Sequence, residues 1–322
     1  MGEVSANELL LQHKELSRRR VFSEECLIKI RMAFSLEPTL NLRETTFFCA
    51  GSIGRMEAGP NSDLDIFVLA GNPKMSRLKE VRVLSKIADL NDELGFPPFF
   101  DEMRYMKVYD SEQLIKDTGK PRDDSENSFT TRMLIILESS PLCNENLYNN
   151  IVSKVCENYF RDNKGKESFR PLFLINDLLR YWRTLCLNYE QCRDDPSKPW
   201  RKKNINLRFS RLTTVFSTVA MLMIDNPQCA NDLILSLKKT PLERLANSID
   251  KLNDDKLSAE FPNFIDHYAT FLRVKDNPQP ERLLKMQNTK EKMKKSSEYV
   301  SDYFHRIFCN EKLKNYYRYL MI

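Results

Sequence analysis

Gly51-Ser52-Ile53-Gly54-Arg55-Met56-Glu57 and, a few residues on, Ser62-Asp63-Leu64-Asp65-Ile66-Phe67-Val68-Leu69 hold the residue types of phosphate and metal chemistry. Gly51 and Gly54 let the backbone approach a ligand closely, and Ser52 adds a hydroxyl and an N–H where a helix can begin. In an extended chain the period of two puts Asp63 and Asp65 on one side, with Leu64, Ile66 and Val68 on the other. Two adjacent like charges repel unless a cation lies between them, and the local sequence offers no basic partner. Mg²⁺, with Mn²⁺ as its substitute, suits carboxylates, phosphate oxygens and water. A phosphate-holding turn beside a metal-holding pair points to nucleotidyl transfer.

Such residues need a sheet to position them. Thr45 to Ala50 reads as a short buried strand, because β-branched and aromatic residues run directly into a Gly-Ser breaker. Asp63 to Leu69 reads as a second strand, Ser76 to Leu94 as a helix, and Phe99 to Val108 as the next strand. Polar loops fall at 71–75 and at 118–127, the second with the composition of a mobile connector. Residues 5–36 read as one or two amphipathic helices, with Leu9, Leu10, Leu16, Val21, Phe22, Leu27 and Ile30 as the apolar side. From Asn144 onward glycine almost vanishes and helical periodicity dominates.

Gly51-Ser52 followed by Asp63-X-Asp65 resembles the signature of the DNA polymerase β-like nucleotidyltransferase superfamily. Gly54-Arg55-X-Glu57 and Ser62-Asp63-Leu64-Asp65 resemble the branch containing PII uridylyltransferases and DUF294-type nucleotidyltransferases. The resemblance implies that the Gly51-Ser52 turn holds the terminal phosphates and that Asp63 and Asp65 are catalytic metal ligands. It also implies a third carboxylate on a later strand. Asp101 and Glu102 are the candidates; they point to opposite faces of an extended chain, and Asp101 is preferred as the third catalytic and metal-binding acid. The alternative is that both are solvated residues at a strand entrance.

Thr130 to Ser139 is similar to the helix that follows the catalytic sheet in uridylyltransferase-like proteins, where an Arg- and Glu-bearing segment buttresses the site. Phe173 to Thr184 is similar to their helical substrate-binding region. The likeness spans roughly residues 40–220.

Length and composition agree. A chain of 322 residues suggests two domains, and 41% hydrophobic content can supply a core for each. Eight glycines argue against an all-β chain, and a net charge of +5 is too mild for a general polyanion binder. Eight scattered cysteines without a Cys-X-X-Cys pair, and three histidines, disfavour zinc and suit a reduced, cytoplasmic protein. The N-terminus lacks the apolar core of a secretory signal, and no run reaches the ~18 apolar residues of a membrane span.

Two further stretches carry charge. The helix expected over 169–191 is apolar nearly all round, so its polar stripe of Asn176, Asp177, Arg180, Arg183 and Thr184 must be paired or face a cavity. Asn176, Arg180 and Arg183 are candidate nucleotide contacts; an internal Asp177–Arg180 ion pair is the alternative. Lys198, Arg201, Lys202, Lys203, Arg208 and Arg211 occur with no acid among them, and Asn204, Arg208 and Arg211 share a helical face with Trp200 and Phe209 interleaved. This is a solvated basic face or a contact for triphosphate or RNA backbone. Lys285 to Lys295 reads as an exposed helix, and Tyr316, Tyr317 and Tyr319 read as packing residues.

The expected architecture is α+β: an N-terminal helical segment over 1–39 packed on the catalytic domain, a polymerase β-like mixed sheet with flanking helices over 40–142, and an all-helical substrate-binding domain over 143–322 that closes over one side of the nucleotide cleft. The expected activity moves a nucleoside monophosphate from a nucleoside triphosphate to a hydroxyl, on a protein in the first instance. Two Mg²⁺ ions on Asp63 and Asp65 would bridge the phosphates and lower the pKa of the attacking hydroxyl. Ser52 and the Gly51 backbone would bind phosphate, while Arg55 either stabilises the leaving pyrophosphate or pairs with Glu57. Nucleotide addition to RNA, synthesis of a nucleotide messenger, and a catalytically silent or toxin-neutralising partner protein are the rival readings. The partners are a nucleoside triphosphate and a protein or RNA acceptor, with no membrane; the oligomeric state stays open.

Overall fold

The computed structural model describes residues 4–71, 75–99, 103, 106–165, 169–193 and 198–320. Two helices, α1 (Ala6–Gln12) and α2 (Lys14–Leu36), precede strand β1 (Thr45–Cys49), a helical turn α3 (Gly51–Gly54) and strand β2 (Ile66–Ala70). Helix α4 (Arg77–Glu93), strand β3 (Val108–Asp110), the short helices α5 (Ser111–Lys116) and α6 (Pro121–Ser125), helix α7 (Ser128–Glu138), strand β4 (Ser140–Cys143) and helix α8 (Glu145–Tyr159) follow. The rest is helical: α9 (Leu172–Arg193), α10 (Trp200–Asn206), a π-helical turn (Leu207–Arg211), α11 (Leu212–Asp225), α12 (Ala230–Leu237), α13 (Pro241–Leu252), α14 (Asp255–Lys275), α15 (Pro280–Leu283), α16 (Gln287–Phe308) and α17 (Lys314–Leu320).

The chain is therefore α+β, and it forms two compact units. One comprises residues 19–164 with 229–238, the other residues 1–18, 165–228 and 239–322. These divisions fall elsewhere than the boundaries read from the sequence at 39/40 and 142/143. Within the helical unit α1 packs on α13 and α14, and its Asn7 amide donates to Asp250 at 2.9 Å. Helix α8 packs on β1, and α12 packs on α8, because amphipathic helices go where their apolar faces find a partner and not where sequence order alone would place them.

In the sheet unit the strand order is β3-β2-β1-β4. β1 pairs antiparallel with β2 and β4, and β2 pairs parallel with β3. All five residues of β1 are buried, as a central strand requires. One face of β2 supplies Ile66 and Val68 to a core shared with Leu27, Ile30 and Phe34 of α2 and Val83 and Ile87 of α4. Helix α4 runs from Ser76 as N-cap residue to Leu94 as C-cap residue, the span its amphipathic pattern predicts. Of the strand expected over 99–108, residues 100–102, 104 and 105 lie outside the described residues, and strand β3 begins at Val108. The connector at 118–127 is also more ordered than its composition suggests: it contains α6, whose Asp123 is fully buried against Arg132 at 2.7 Å.

The helical unit is built around α11, which packs against α9, α13 and α16. The run Trp200–Asp225 is long and apolar enough to cross a membrane by composition, yet 67% of its most apolar 18-residue stretch is buried inside the protein, as in a core helix. Helix α9 is less enclosed than its composition implies. Leu174, Ile175, Asp177, Leu178 and Tyr181 are buried, whereas Leu187 is 65% exposed. Tyr316 is buried and donates its hydroxyl to Asn226, in keeping with a packing role.

Candidate functional site

Strand β1 delivers the chain to the site through fully buried Phe48 and Cys49, the latter with its thiol pushed up to about 12 by burial. The backbone then turns at Gly51, whose φ of +68° is in the left-handed region that glycine adopts without strain. A second constraint acts there: a Cβ on Gly51 would collide with Asp65 Oδ2. The Asp65 carboxylate therefore rests directly over the glycine, in space that only glycine leaves open. Gly54 is equally confined, since a Cβ would strike the Glu138 carbonyl oxygen.

Asp63 and Asp65 lie just before β2, not within it. The Ala50 N–H donates to the Asp65 carbonyl at 2.9 Å, so Asp65 is tied alongside the end of β1. Burial alternates as an extended chain demands: Leu64 and Ile66 are buried, while Asp63 and Asp65 are exposed. The two acids thus reach solvent from the same side of the segment, beside the Gly51 turn.

The back of the turn is held by buried charge. Arg55 is 3% exposed; its Nε donates to Glu57 at 2.9 Å and its Nη1 to Glu138 at 2.5 Å. Glu138 also accepts from the Gly51 N–H at 3.4 Å, and Arg19 donates to the Glu57 carbonyl at 3.2 Å. Of the two roles open to Arg55, the geometry is that of the ion pair. Its hydrogen bonds to two separate carboxylates fix the turn from behind. Glu138, the last residue of α7, abuts the turn, whereas Arg132 of the same segment pairs with Asp123.

One polar atom in this region stands out. Ser52 is 3% exposed, and its Oγ has no hydrogen-bond partner among the described residues. A buried hydroxyl left unsatisfied carries a desolvation cost of roughly 1–3 kcal/mol. A ligand oxygen would remove that cost. An unsatisfied hydroxyl, a glycine kept bare beneath a carboxylate, and two solvent-facing aspartates form a donor set suited to a phosphate with a hard cation such as Mg²⁺. No group of three possible metal-binding side chains occurs among the described residues. Asp101 and Glu102, the candidates for a third acid, lie outside the described residues.

Sequence reasoning missed a cavity of about 200 Å³ that opens beside Asp65. Phe67, Lys107, Tyr109, Asn127 and Thr130 line it with Asp65. Asn127 donates to the Tyr109 hydroxyl at 3.1 Å, and the Lys107 ammonium sits 5.1 Å from the Tyr109 ring centre. The sequence signal was faint: alternation on β2 places Phe67 on the Asp65 side, but the other residues come from segments far along the chain.

Asn176, Asp177, Arg180 and Arg183 belong to the helical unit. Asp177 is buried, Asn176 and Arg180 are half-buried and Arg183 is exposed. Arg180 Nη1 lies 3.8 Å from Asp177 Oδ1, so the expected pair forms as a loose contact beyond hydrogen-bond length. No protein-family model matches the chain, and no curated protein is detectably similar to it in sequence.

Proposed function

We propose that the sheet unit is a polymerase β-like nucleotidyltransferase domain, transferring a nucleoside monophosphate from a nucleoside triphosphate to a hydroxyl acceptor, on a protein in the first instance, in a cytoplasmic setting. The observation that carries this reading is the Asp65 carboxylate seated over Gly51 beside the unsatisfied Ser52 hydroxyl. A core turn has no use for that combination, whereas a triphosphate site needs each part of it.

In the reaction the acceptor oxygen bonds to the α-phosphorus, the bond from that phosphorus to the bridging oxygen breaks, and pyrophosphate leaves with the bond's electrons. The acceptor proton passes to solvent or to a neighbouring carboxylate. Ser52 Oγ and the Gly51 backbone bind and orient the terminal phosphates. Asp63 and Asp65 would hold Mg²⁺, which when bound neutralises phosphate charge and favours the ionised acceptor. Arg55, Glu57 and Glu138 keep the turn rigid, and the cavity lined by Phe67, Tyr109 and Asn127 offers an apolar face with a polar edge to a substrate group. Asn176, Arg180 and Arg183 are proposed nucleotide contacts of the helical unit.

The test is incubation with each α-labelled nucleoside triphosphate in host lysate, followed by separation of protein, RNA and small molecules. Metal-dependent label on one fraction, lost in Asp63→Ala and Asp65→Ala, supports the reading. Absence of label from every fraction, with no shift in Tm from Mg²⁺ and triphosphate together, would overturn it in favour of a silent binding protein.

A further inference from the structure

In the helical unit the structure joins two basic stretches that the sequence keeps far apart. The segment around Trp200 to Arg208 and the start of α16 face each other across a cavity of about 260 Å³. Arg201 and Arg208 line it from one side and Lys290 and Lys294 from the other, with no carboxylate among the lining residues. Four cations around one concavity repel one another, and that repulsion falls when an anion enters.

The geometry is built and not merely a charged surface. Phe209 on the wall is fully buried and stacked on Phe271 with ring centres 4.7 Å apart. The Arg201 guanidinium lies over the Trp200 ring at 4.4 Å, so the two pack together on the wall of the cavity. Arg208 donates to Ser297 Oγ at 3.3 Å, which ties the π-helical turn to α16. That turn matters, since in a regular helix Asn204, Arg208 and Arg211 would share a face. With the wider turn at Leu207–Arg211, Asn204 and Arg208 line the cavity and Arg211 does not. Insertions of this kind recur at functional sites.

The charges are also unequally committed. Arg201 lies 3.7 Å from Glu281, and Lys294 lies 3.9 Å from Glu298. Arg208 and Lys290 have no carboxylate partner among the described residues. A cavity of this size is close to the lower end of small-ligand sites, which begin at roughly 300 Å³. It has room for one phosphate-bearing ring compound and not for a folded partner.

We infer that this pocket binds a nucleotide through its phosphate, with Arg208 and Lys290 as the primary anion contacts and the Trp200–Arg201 pair against the ring. The site lies wholly within the helical unit. The same chemistry is presented by a free mononucleotide and by one nucleotide of an RNA strand.

Calorimetric titration of full-length Asp63→Ala/Asp65→Ala protein in EDTA silences the metal-dependent site, so this pocket can be read alone. The probes are inorganic pyrophosphate, AMP and a short single-stranded oligoribonucleotide. Binding by AMP or the oligonucleotide that weakens with salt, and falls roughly tenfold or more in Arg208→Ala/Lys290→Ala but not in Arg208→Lys/Lys290→Arg, is the expected result. AMP binding with the oligonucleotide excluded assigns the free nucleotide, and oligonucleotide binding assigns the strand. Pyrophosphate binding alone removes the role of the ring. Absence of binding by any probe, or unchanged affinity in the alanine variant with an unchanged Tm, overturns the inference.

Discussion

Four acids surround the Gly51 turn, and they divide into two kinds. Glu57 and Glu138, behind the turn, are almost fully excluded from water and share the Arg55 guanidinium. Asp63 and Asp65, in front of it, are exposed to solvent. Burial makes the rear pair dependent on a cation within the protein, because an unpaired buried carboxylate is strongly disfavoured. Exposure leaves the front pair within reach of solvent. The same functional group is thus paired within the protein on one side of the turn and turned to solvent on the other, and the difference lies in the surroundings alone.

The largest effect should come from breaking the rear. Arg55→Ala would remove the guanidinium that two buried carboxylates share, and a loss of about 3–5 kcal/mol in denaturant unfolding is expected. A change under about 0.5 kcal/mol would show that the rear acids are as independent of Arg55 as surface groups are. At the front, Asp65→Ala should lower nucleotidyl transfer by roughly a hundredfold or more, about 2.7 kcal/mol in activation free energy, with little change in Tm. Transfer at the full rate would erase the distinction between the two pairs.

Gly51→Ala probes the contact between the halves. The new Cβ would meet the Asp65 carboxylate at a left-handed φ, and a cost of about 1–2 kcal/mol with a displaced Asp65 is expected. Unfolding and transfer assays should both register it; a variant with normal Tm and normal transfer would mean that the carboxylate moves aside freely. The smallest effect belongs to Ser52→Ala. Removal of an unsatisfied buried hydroxyl should leave Tm unchanged or slightly higher, while triphosphate affinity drops by about 0.5–1.5 kcal/mol. A lowered Tm with unchanged affinity would reassign Ser52 to the packing of the turn.

Local chemistry made parts of this molecule legible. The strand Thr45–Cys49, the break at Gly51 and the inward–outward alternation through Asp63, Leu64, Asp65 and Ile66 follow from side-chain type and the two-residue period. Helix α4 was legible to its caps because its apolar period and its Ser76 boundary agree. The ordered connector was not: Asp123 sits in a polar, loop-like composition, and its burial depends on Arg132, on another element, together with the Gly119 N–H.

By itself, then, the sequence determined an α+β chain with a bare-glycine turn leading to two same-sided aspartates, since these depend on neighbours a few residues apart. Only the tertiary structure decided that Arg55 faces Glu138 across the unit, that α1 packs with the C-terminal helices, and that Arg208 meets Lys290 around one cavity. Those outcomes depend on which distant apolar faces bury one another. Such pairings are set by packing over the whole chain, and no local pattern encodes them.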